Sequence, residues 1–338
     1  MYKKYYILII SGILICSVVP ATVYMATIGK KAEKSHTKTH YYFEKVDSPI
    51  QPIPRRLEID KQWLILGKAL FHSPLLSKNN TISCSSCHLL DFGGDDSFPV
   101  SIGVNNGQGV RNSPTVLNSV FNFRQFWDGR AASLREQIEG PIHNPVEMGS
   151  TWPEIIKKLK QDSYFSETFQ DLSYEGITSE NIIKAITTFE ESLITPNAPI
   201  DRYLLGDKTA LTDQQKRGLN YFINYGCSTC HQGRNIGGNI FQKLGRINTI
   251  PKKLTLDLGK FEVTGLDKDK YVFKVPSLRN ITETGPYFHN GAVESLTEAV
   301  RIMASSQLGR QLTDSELDDI VALLHAFTSQ VIEVNYDD

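Results

Sequence analysis

The sequence has little methionine, little cysteine and no excess of charge of either sign. Among 338 residues there are four methionines and five cysteines, and the formal net charge is −1. The sequence contains neither a basic patch nor a known nucleic-acid-binding motif, so it gives no indication of a nucleic-acid partner. An apolar fraction of 40% is ordinary for a globular chain and excludes general disorder. The length allows two domains or one large one.

The N-terminus has the pattern of an export segment. Two lysines near the start are followed by an apolar run that contains no charged residue before Lys30. This pattern fits a signal peptide or a signal anchor, and the run is long enough to span a bilayer. Because no small-x-small cleavage site follows, we predict that residues 1–28 are an uncleaved anchor, with 5–28 in the inner membrane. The rest of the chain would then be periplasmic.

Four of the five cysteines occur in two copies of one pattern, C-S-S-C-H and C-S-T-C-H. Disulfides, or a zinc site of four cysteines, would leave the histidine of each copy unexplained. The pattern C-x-x-C-H is typical of covalent attachment of a c-type haem, in which the histidine binds the iron. We therefore predict two c-type haems, with His88 and His231 as iron ligands. The attaching cysteines would be Cys84, Cys87, Cys227 and Cys230.

The sequence around each of the two haem attachment signals has the same order of predicted elements. A helical pattern precedes each signal, and a long stretch rich in Gly, Asn and Pro follows it, at 91–125 and 232–292. Long loops of this kind are uncommon unless they bind something. We predict a mainly α fold of two cytochrome-c-like haem domains. The predicted parts after the anchor are a linker (29–55), a first haem domain (56–205) and a second haem domain (206–332).

Several long strings, among them FWDGRAASLREQIEGPIHNPVEMG and VFKVPSLRNITETGPYFHNGAVESLTEAVRIM, resemble the bacterial di-haem cytochrome c peroxidase family. The resemblance covers about residues 50–330 and includes both attachment signals. It implies one haem that reacts with hydrogen peroxide and one that delivers electrons from a small cytochrome c or cupredoxin. A homodimer is also implied.

The resemblance assigns roles to particular residues. The first attachment signal would hold the peroxidatic haem, and the second would hold the electron-transfer haem with Met303 as its other iron ligand. Glu147 matches the acid over the peroxidatic iron, Gln137 lines the same pocket, and Trp127 lies between the haems. From the residues alone, Met303 and Trp127 could equally be core side chains, and Glu147 a solvated loop acid.

The resemblance also implies one calcium ion between the domains. Asn112, Thr284 and Pro286 match the residues that hold it, partly by backbone carbonyls, and oxygen ligands of this kind suit calcium. From the residues alone, Asn112 and Pro286 could equally be turn residues.

One position departs from the family pattern. Many members have a histidine at the place of Val104, where it caps the peroxidatic iron in the resting enzyme. Valine cannot bind iron, so we predict an open site that needs no reductive activation. Two rival functions stay open: an oxidase that modifies a partner protein or organic molecule, and a non-enzymatic electron carrier or haem sensor, which filled sixth positions on both irons would favour. The related enzyme that matures a tryptophan-derived cofactor has a tyrosine in place of Met303, so the methionine favours the peroxidase.

Overall fold

The computed structural model describes residues 38–331, and the fold is mainly helical, as predicted. Two short antiparallel pairs of strands accompany the helices: β1 (His40–Tyr41) with β2 (Leu57–Glu58), and β3 (Phe241–Lys243) with β4 (Val272–Lys274). The helices of the described range are α1 (Lys61–Phe71), α2 (Leu134–His143), α3 (Trp152–Gln161), α4 (Ser163–Leu172), α5 (Ser179–Ser192), α6 (Pro199–Leu204), α7 (Asp213–Asn224), α8 (Phe261–Thr264), α9 (Leu296–Leu308) and α10 (Asp314–His325).

The helix starts follow local capping chemistry. Thr212 accepts a hydrogen bond from the backbone of Gln215 (3.2 Å), and the Gln215 side chain accepts from the backbone of Thr212 (2.9 Å). This reciprocal arrangement satisfies donors that the first helical turn leaves unpaired. At the start of α3, the Glu154 carboxylate accepts from both the backbone (3.1 Å) and the hydroxyl (3.0 Å) of Thr151, and Pro153 lies in the first turn. Sequence patterns of three or four residues therefore predict these starts.

The two attachment signals pack against different buried clusters, Cys84 against one that includes Phe71 and Phe189, and Cys227 against one that includes Phe222 and Phe327. In the first half, α1 packs against α5, and in the second half α7 packs against α10. In each pair the earlier helix leads towards an attachment signal. The described residues, 38–331, belong to one compact unit, and the boundaries between linker and haem domains stay predictions.

Part of the predicted linker lies on the folded body. Ile50 and Ile53 are fully buried, and Ile50 belongs to the second core. The backbone of Gln51 donates to Gly233 O (3.2 Å), and Gly233 donates to Pro49 O (2.8 Å). Prolines oppose helix formation but permit an extended chain, and an extended chain can pair with a loop. The prolines therefore predict that this segment is not a helix. They do not predict that residues 49–53 pack on the body, because that depends on the distant loop at Gly233.

The predicted membrane anchor lies outside residues 38–331. Within that range, no helix is long and apolar enough to cross a bilayer.

Each of the two helix pairs crosses at a glycine. A Cβ added at Gly67 of α1 would lie 1.9 Å from Ala185 O of α5, and one at Gly218 of α7 would lie 2.0 Å from Asp319 O of α10. A backbone oxygen cannot move away cheaply, so a methyl group at either position forces the helices apart. The same device therefore sets the distance between the paired helices in both halves.

We expect Gly67→Ala to destabilise the protein by at least about 2 kcal/mol, because overpacking outweighs the gain in helix propensity. The measurement is thermal or denaturant unfolding of the haem-loaded protein. Gly109→Ala is the control, because a Cβ at Gly109 meets no atom within 4 Å. Equal stability of the two variants would show that the first crossing tolerates a methyl group.

Candidate haem sites

Both attachment signals fold as short 3-10 turns with the same hydrogen bonds. The turns are Cys84–Ser86 and Cys227–Thr229. In the first, the backbone of His88 donates to Cys84 O (3.0 Å), and in the second, His231 donates to Cys227 O (3.0 Å). Each turn follows a helix and presents two thiols and one imidazole. The two predicted sites are therefore local copies of one another.

The imidazoles of both turns are held by loop carbonyls. Nδ1 of His88 lies 3.1 Å from Gly94 O, and Nδ1 of His231 lies 3.2 Å from Ile236 O. A carbonyl can only accept, so each Nδ1 carries the proton and each Nε2 keeps a lone pair for a metal. Burial lowers the pKa of His88, and it lowers the pKa of His231 to about 4. Both rings are therefore in the neutral form that binds iron.

The cysteines of both signals are unpaired thiols. Burial raises the pKa of Cys84 to about 12 and that of Cys227 to about 11. Such sites suit an uncharged thioether better than a thiolate that binds zinc. Among the described residues, no group of three or more His, Cys, Asp or Glu side chains forms a metal site. The zinc alternative therefore has no geometric support within 38–331.

A large, mainly apolar cavity adjoins the second turn. Its lining includes Cys227, Cys230, His231 and, from α9, Met303. The neighbours of Met303 on α9, Ile302 and Ala304, are buried, whereas Met303 reaches the cavity. The structure thus brings the predicted second iron ligand into the same cavity as the first.

Lys274 is a buried cation in this cavity that suits a haem with anionic propionates. Sequence reasoning did not identify this residue. Its side chain lines the cavity and is only 6% exposed. Burial lowers its pKa to about 8. Among residues 38–331 it forms no ion pair with a carboxylate, and a buried ammonium needs an anionic partner. A haem propionate would supply one. Because Lys274 belongs to a short strand, no sequence signal marked it.

Trp127 joins several parts of the same cavity. Its Nε1 donates to Asn112 O (2.9 Å), and its backbone oxygen accepts from Lys274 N (2.8 Å). Its ring meets the buried ring of His289 edge-on, with centroids 6.3 Å apart. Trp127 lines the cavity together with His231. The predicted tryptophan therefore borders the second haem site.

Glu147 lies close to the first attachment turn. Its Oε1 accepts from Asn144 Nδ2 (2.6 Å), and its backbone oxygen accepts from Val104 N (2.8 Å). Burial raises the pKa of Glu147, while the Asn144 hydrogen bond opposes that shift. Its charge in turn contributes to the raised pKa of Cys87. Glu147 is thus a partly buried acid beside the first site and not a fully solvated loop residue.

The loop that contains Val104 is pressed against the segment of Glu147. Val104 is only 2% exposed. A Cβ at Gly103 would lie 2.2 Å from Val146 O, so only glycine permits this approach. The backbone of Gly103 donates to Gly107 O (2.8 Å), and Gly107 donates to Val104 O (3.0 Å). These bonds hold Val104 in a closed turn beside Glu147.

Gln137 is half-buried on α2, the helix that leads to the Glu147 segment. Among residues 38–331 its side chain forms no hydrogen bond. Its place in the pocket therefore stays a prediction.

The three predicted calcium residues line one cavity. Asn112 Nδ2 donates to Phe98 O (3.0 Å), which fixes the orientation of the amide. The adjacent Arg111 donates to Asp257 (2.7 Å) and pairs with Asp128, which anchors this loop. Thr284 and Pro286 come from a loop in the second half of the chain. Whether they hold calcium stays a prediction.

Comparison with known proteins identifies the family. A model of the di-haem cytochrome c peroxidases matches residues 61–209. Cytochrome c peroxidase Ccp of Escherichia coli is 45% identical over 305 residues, which make up 89% of this chain and 66% of that protein. Cytochrome c551 peroxidase of Pseudomonas aeruginosa is 40% identical over 318 residues, which make up 92% of this chain and 91% of that protein.

A solved structure agrees with the sequence relatives. The crystal structure of a MauG-like protein associated with microbial copper homeostasis matches with a TM-score of 0.72 and 27% identity, over 86% of this chain and 95% of that one. The chain therefore belongs to the di-haem cytochrome c peroxidase family, which confirms the predicted enzyme class and the two haems.

Proposed function

We propose that this protein reduces hydrogen peroxide to water at the haem of His88, with electrons that enter through the haem of His231 and Met303. The observation that carries the proposal is the asymmetry of the two sites. Met303 lies in the cavity of His231, whereas a partly buried acid, Glu147, lies beside the first turn. One site has a second ligand for iron, and the other has a group for proton transfer.

When bound, the two haems supply an iron that takes peroxide and a relay for electrons. The chain supplies the proton chemistry. Glu147 takes a proton from the near oxygen of peroxide and gives it to the far oxygen, which leaves as water. The hydrogen bond from Asn144 orients the carboxyl group. Each peroxide consumes two protons and two electrons and yields two waters. Trp127 is the aromatic group between the two sites.

The donor is a small cytochrome c or cupredoxin, and the assay follows from the electron balance. We expect two equivalents of reduced donor to be oxidised for each peroxide consumed, measured by absorbance under steady turnover. A lower ratio would favour the oxidase that modifies another substrate. No turnover at all would favour the electron carrier or sensor. Met303 favours the peroxidase over that oxidase.

Three further features complete the proposal. Residues 5–28 anchor the protein in the inner membrane, and the body is periplasmic, because c-type haem signals follow an apolar N-terminal run. One calcium ion is held by Asn112, Thr284 and Pro286, since these residues line one cavity. The protein works as a homodimer, as the family resemblance implies.

Met303→Leu should remove the sulfur–iron ligand and lower the reduction potential of the second haem, because a thioether ligand raises it. Redox titration should show the loss of the high-potential haem, and the absorption band of sulfur–iron ligation should disappear. Electron delivery from the donor should fall at least about tenfold.

Met148→Leu is the matched control for this variant, because Met148 is 3% exposed in the first core. A Met-to-Leu change in a core is well tolerated. An unchanged potential in Met303→Leu would show that another group binds the second iron.

A further inference from the structure

Asp95 is a buried acid that the proposed chemistry does not use. It is 1% exposed, and its Oδ1 accepts from the backbone of Ser97 (3.2 Å). Its Oδ2 is buried and has no hydrogen-bond partner within 38–331. A buried carboxylate oxygen without a donor is destabilising unless a positive charge or a proton satisfies it. Oδ2 is therefore open to either a proton or a cation, and burial raises the pKa of Asp95 to about 7.

The cavity that Asp95 lines is also lined by Asn112, Thr284 and Pro286. The turn before Asp95 lies close to the segment of Thr284. A Cβ at Gly93 would lie 3.1 Å from Thr284 Cγ2. On the other side, Asn112 Nδ2 donates to Phe98 O (3.0 Å), three residues after Asp95. The turn of Asp95 therefore connects both halves of the predicted calcium site.

Other oxygen atoms of this group also lack donors. Because Nδ2 of Asn112 is used by Phe98, the amide oxygen is directed elsewhere, and no group in the described range donates to it. The backbone oxygens of Thr284 and Pro286 likewise accept no hydrogen bond there. The four residues that carry these oxygens, Asp95, Asn112, Thr284 and Pro286, all line one cavity, and only Asp95 carries a formal charge. Such a set suits a hard cation of the calcium type.

We propose that Asp95 is the charged ligand of the calcium site, a role beyond the three neutral ligands. This inference rests on the calcium site of the proposed function. Ligand charge is one of the factors that set calcium affinity. A carboxylate in addition to three neutral ligands is expected to raise the affinity of the site for calcium.

Calcium titration of the haem-loaded protein tests the proposal. The protein is first treated with chelator, and calcium chloride is then added in a calorimeter. Asp95→Asn keeps the shape and the acceptor for Ser97 but removes the charge. We expect it to bind calcium at least about tenfold more weakly than the original protein.

Asp96→Asn is the matched control. Asp96 is a neighbouring buried acid, 8% exposed, and its Oδ1 accepts from the backbone of Phe98 (3.1 Å). It does not line the cavity. We expect its calcium affinity to stay within about twofold of the original protein, since its carboxylate is used inside the turn.

Thermal unfolding gives a second readout that a purely structural role would not produce. In chelator and above pH 7, where Asp95 is ionised, Asp95→Asn should melt at a higher temperature than the original protein, because it removes an unpaired buried charge. In the presence of calcium, the original protein should melt at the higher temperature, because calcium binds it more tightly and so stabilises it more than it stabilises Asp95→Asn. If Asp95→Asn does not retain haem, Asp95→Ser serves instead, with the same expected reversal.

The outcomes separate the two proposals. Equal calcium affinity of Asp95→Asn and the original protein would overturn the role of Asp95 and leave the calcium site standing. No calcium binding by the original protein would overturn both the site and the ligand, while peroxide turnover would still support the proposed enzyme activity.

Discussion

Glu147→Gln should bind peroxide but lose most turnover, by about a hundredfold to ten-thousandfold in kcat, the usual contribution of general acid–base catalysis. Glutamine keeps the size of the side chain and an oxygen for Asn144, which donates to Oε1 at 2.6 Å. It cannot carry a proton from one peroxide oxygen to the other. Stopped-flow mixing with peroxide, followed by steady-state assay, separates binding from turnover.

The pH profile tests the same role independently. Burial raises the pKa of Glu147 above its usual range. As a base in the free enzyme, the carboxyl must be ionised, so kcat/KM should rise with pH through this pKa and fall below it. Glu147→Gln should lose that acidic limb.

Glu154→Gln is the matched control, because Glu154 caps α3 and glutamine preserves a capping box. Near-normal turnover of Glu147→Gln, with the limb intact, would assign proton transfer to another group.

The fully oxidised protein should turn over peroxide at once, without prior reduction. Its electron paramagnetic resonance spectrum should contain one high-spin and one low-spin haem. The reason is Val104, which is 2% exposed in a closed turn beside Glu147 and has no atom that can bind iron. Val104→His should convert the first haem to low spin and make turnover depend on pre-reduction.

The control for Val104→His lies in the same loop. Val110 is 75% exposed, so Val110→His adds a histidine to the loop surface and should change neither spin state nor activation. Two low-spin haems and no turnover in the original protein would show that another residue caps the first iron. The carrier or sensor function would then be favoured over an open peroxidase.

Much of the haem chemistry was readable from local sequence. The pattern C-x-x-C-H specifies a 3-10 turn and an adjacent imidazole, because its hydrogen bonds join residues at most four apart. An N-cap threonine at 151, followed by Pro153, and a capping box at Thr212 predict helix starts for the same reason. The roles of Met303 and Glu147 were not local, since a core methionine and a loop acid have the same sequence pattern. They rested on resemblance.

The sequence alone therefore determined the two attachment signals, the helical class and the helix starts, because each depends on neighbours along the chain. Only the tertiary structure decided which side chains are buried and which distant residues they meet. Residues 95, 112, 284 and 286 line one cavity, although about 190 positions of sequence separate the first from the last. Lys274 is likewise buried by segments that are distant in the sequence. Ile50, in the predicted linker, packs into a core whose other residues begin about 150 positions later. Burial and pairing depend on which distant segments meet, and no short pattern encodes that.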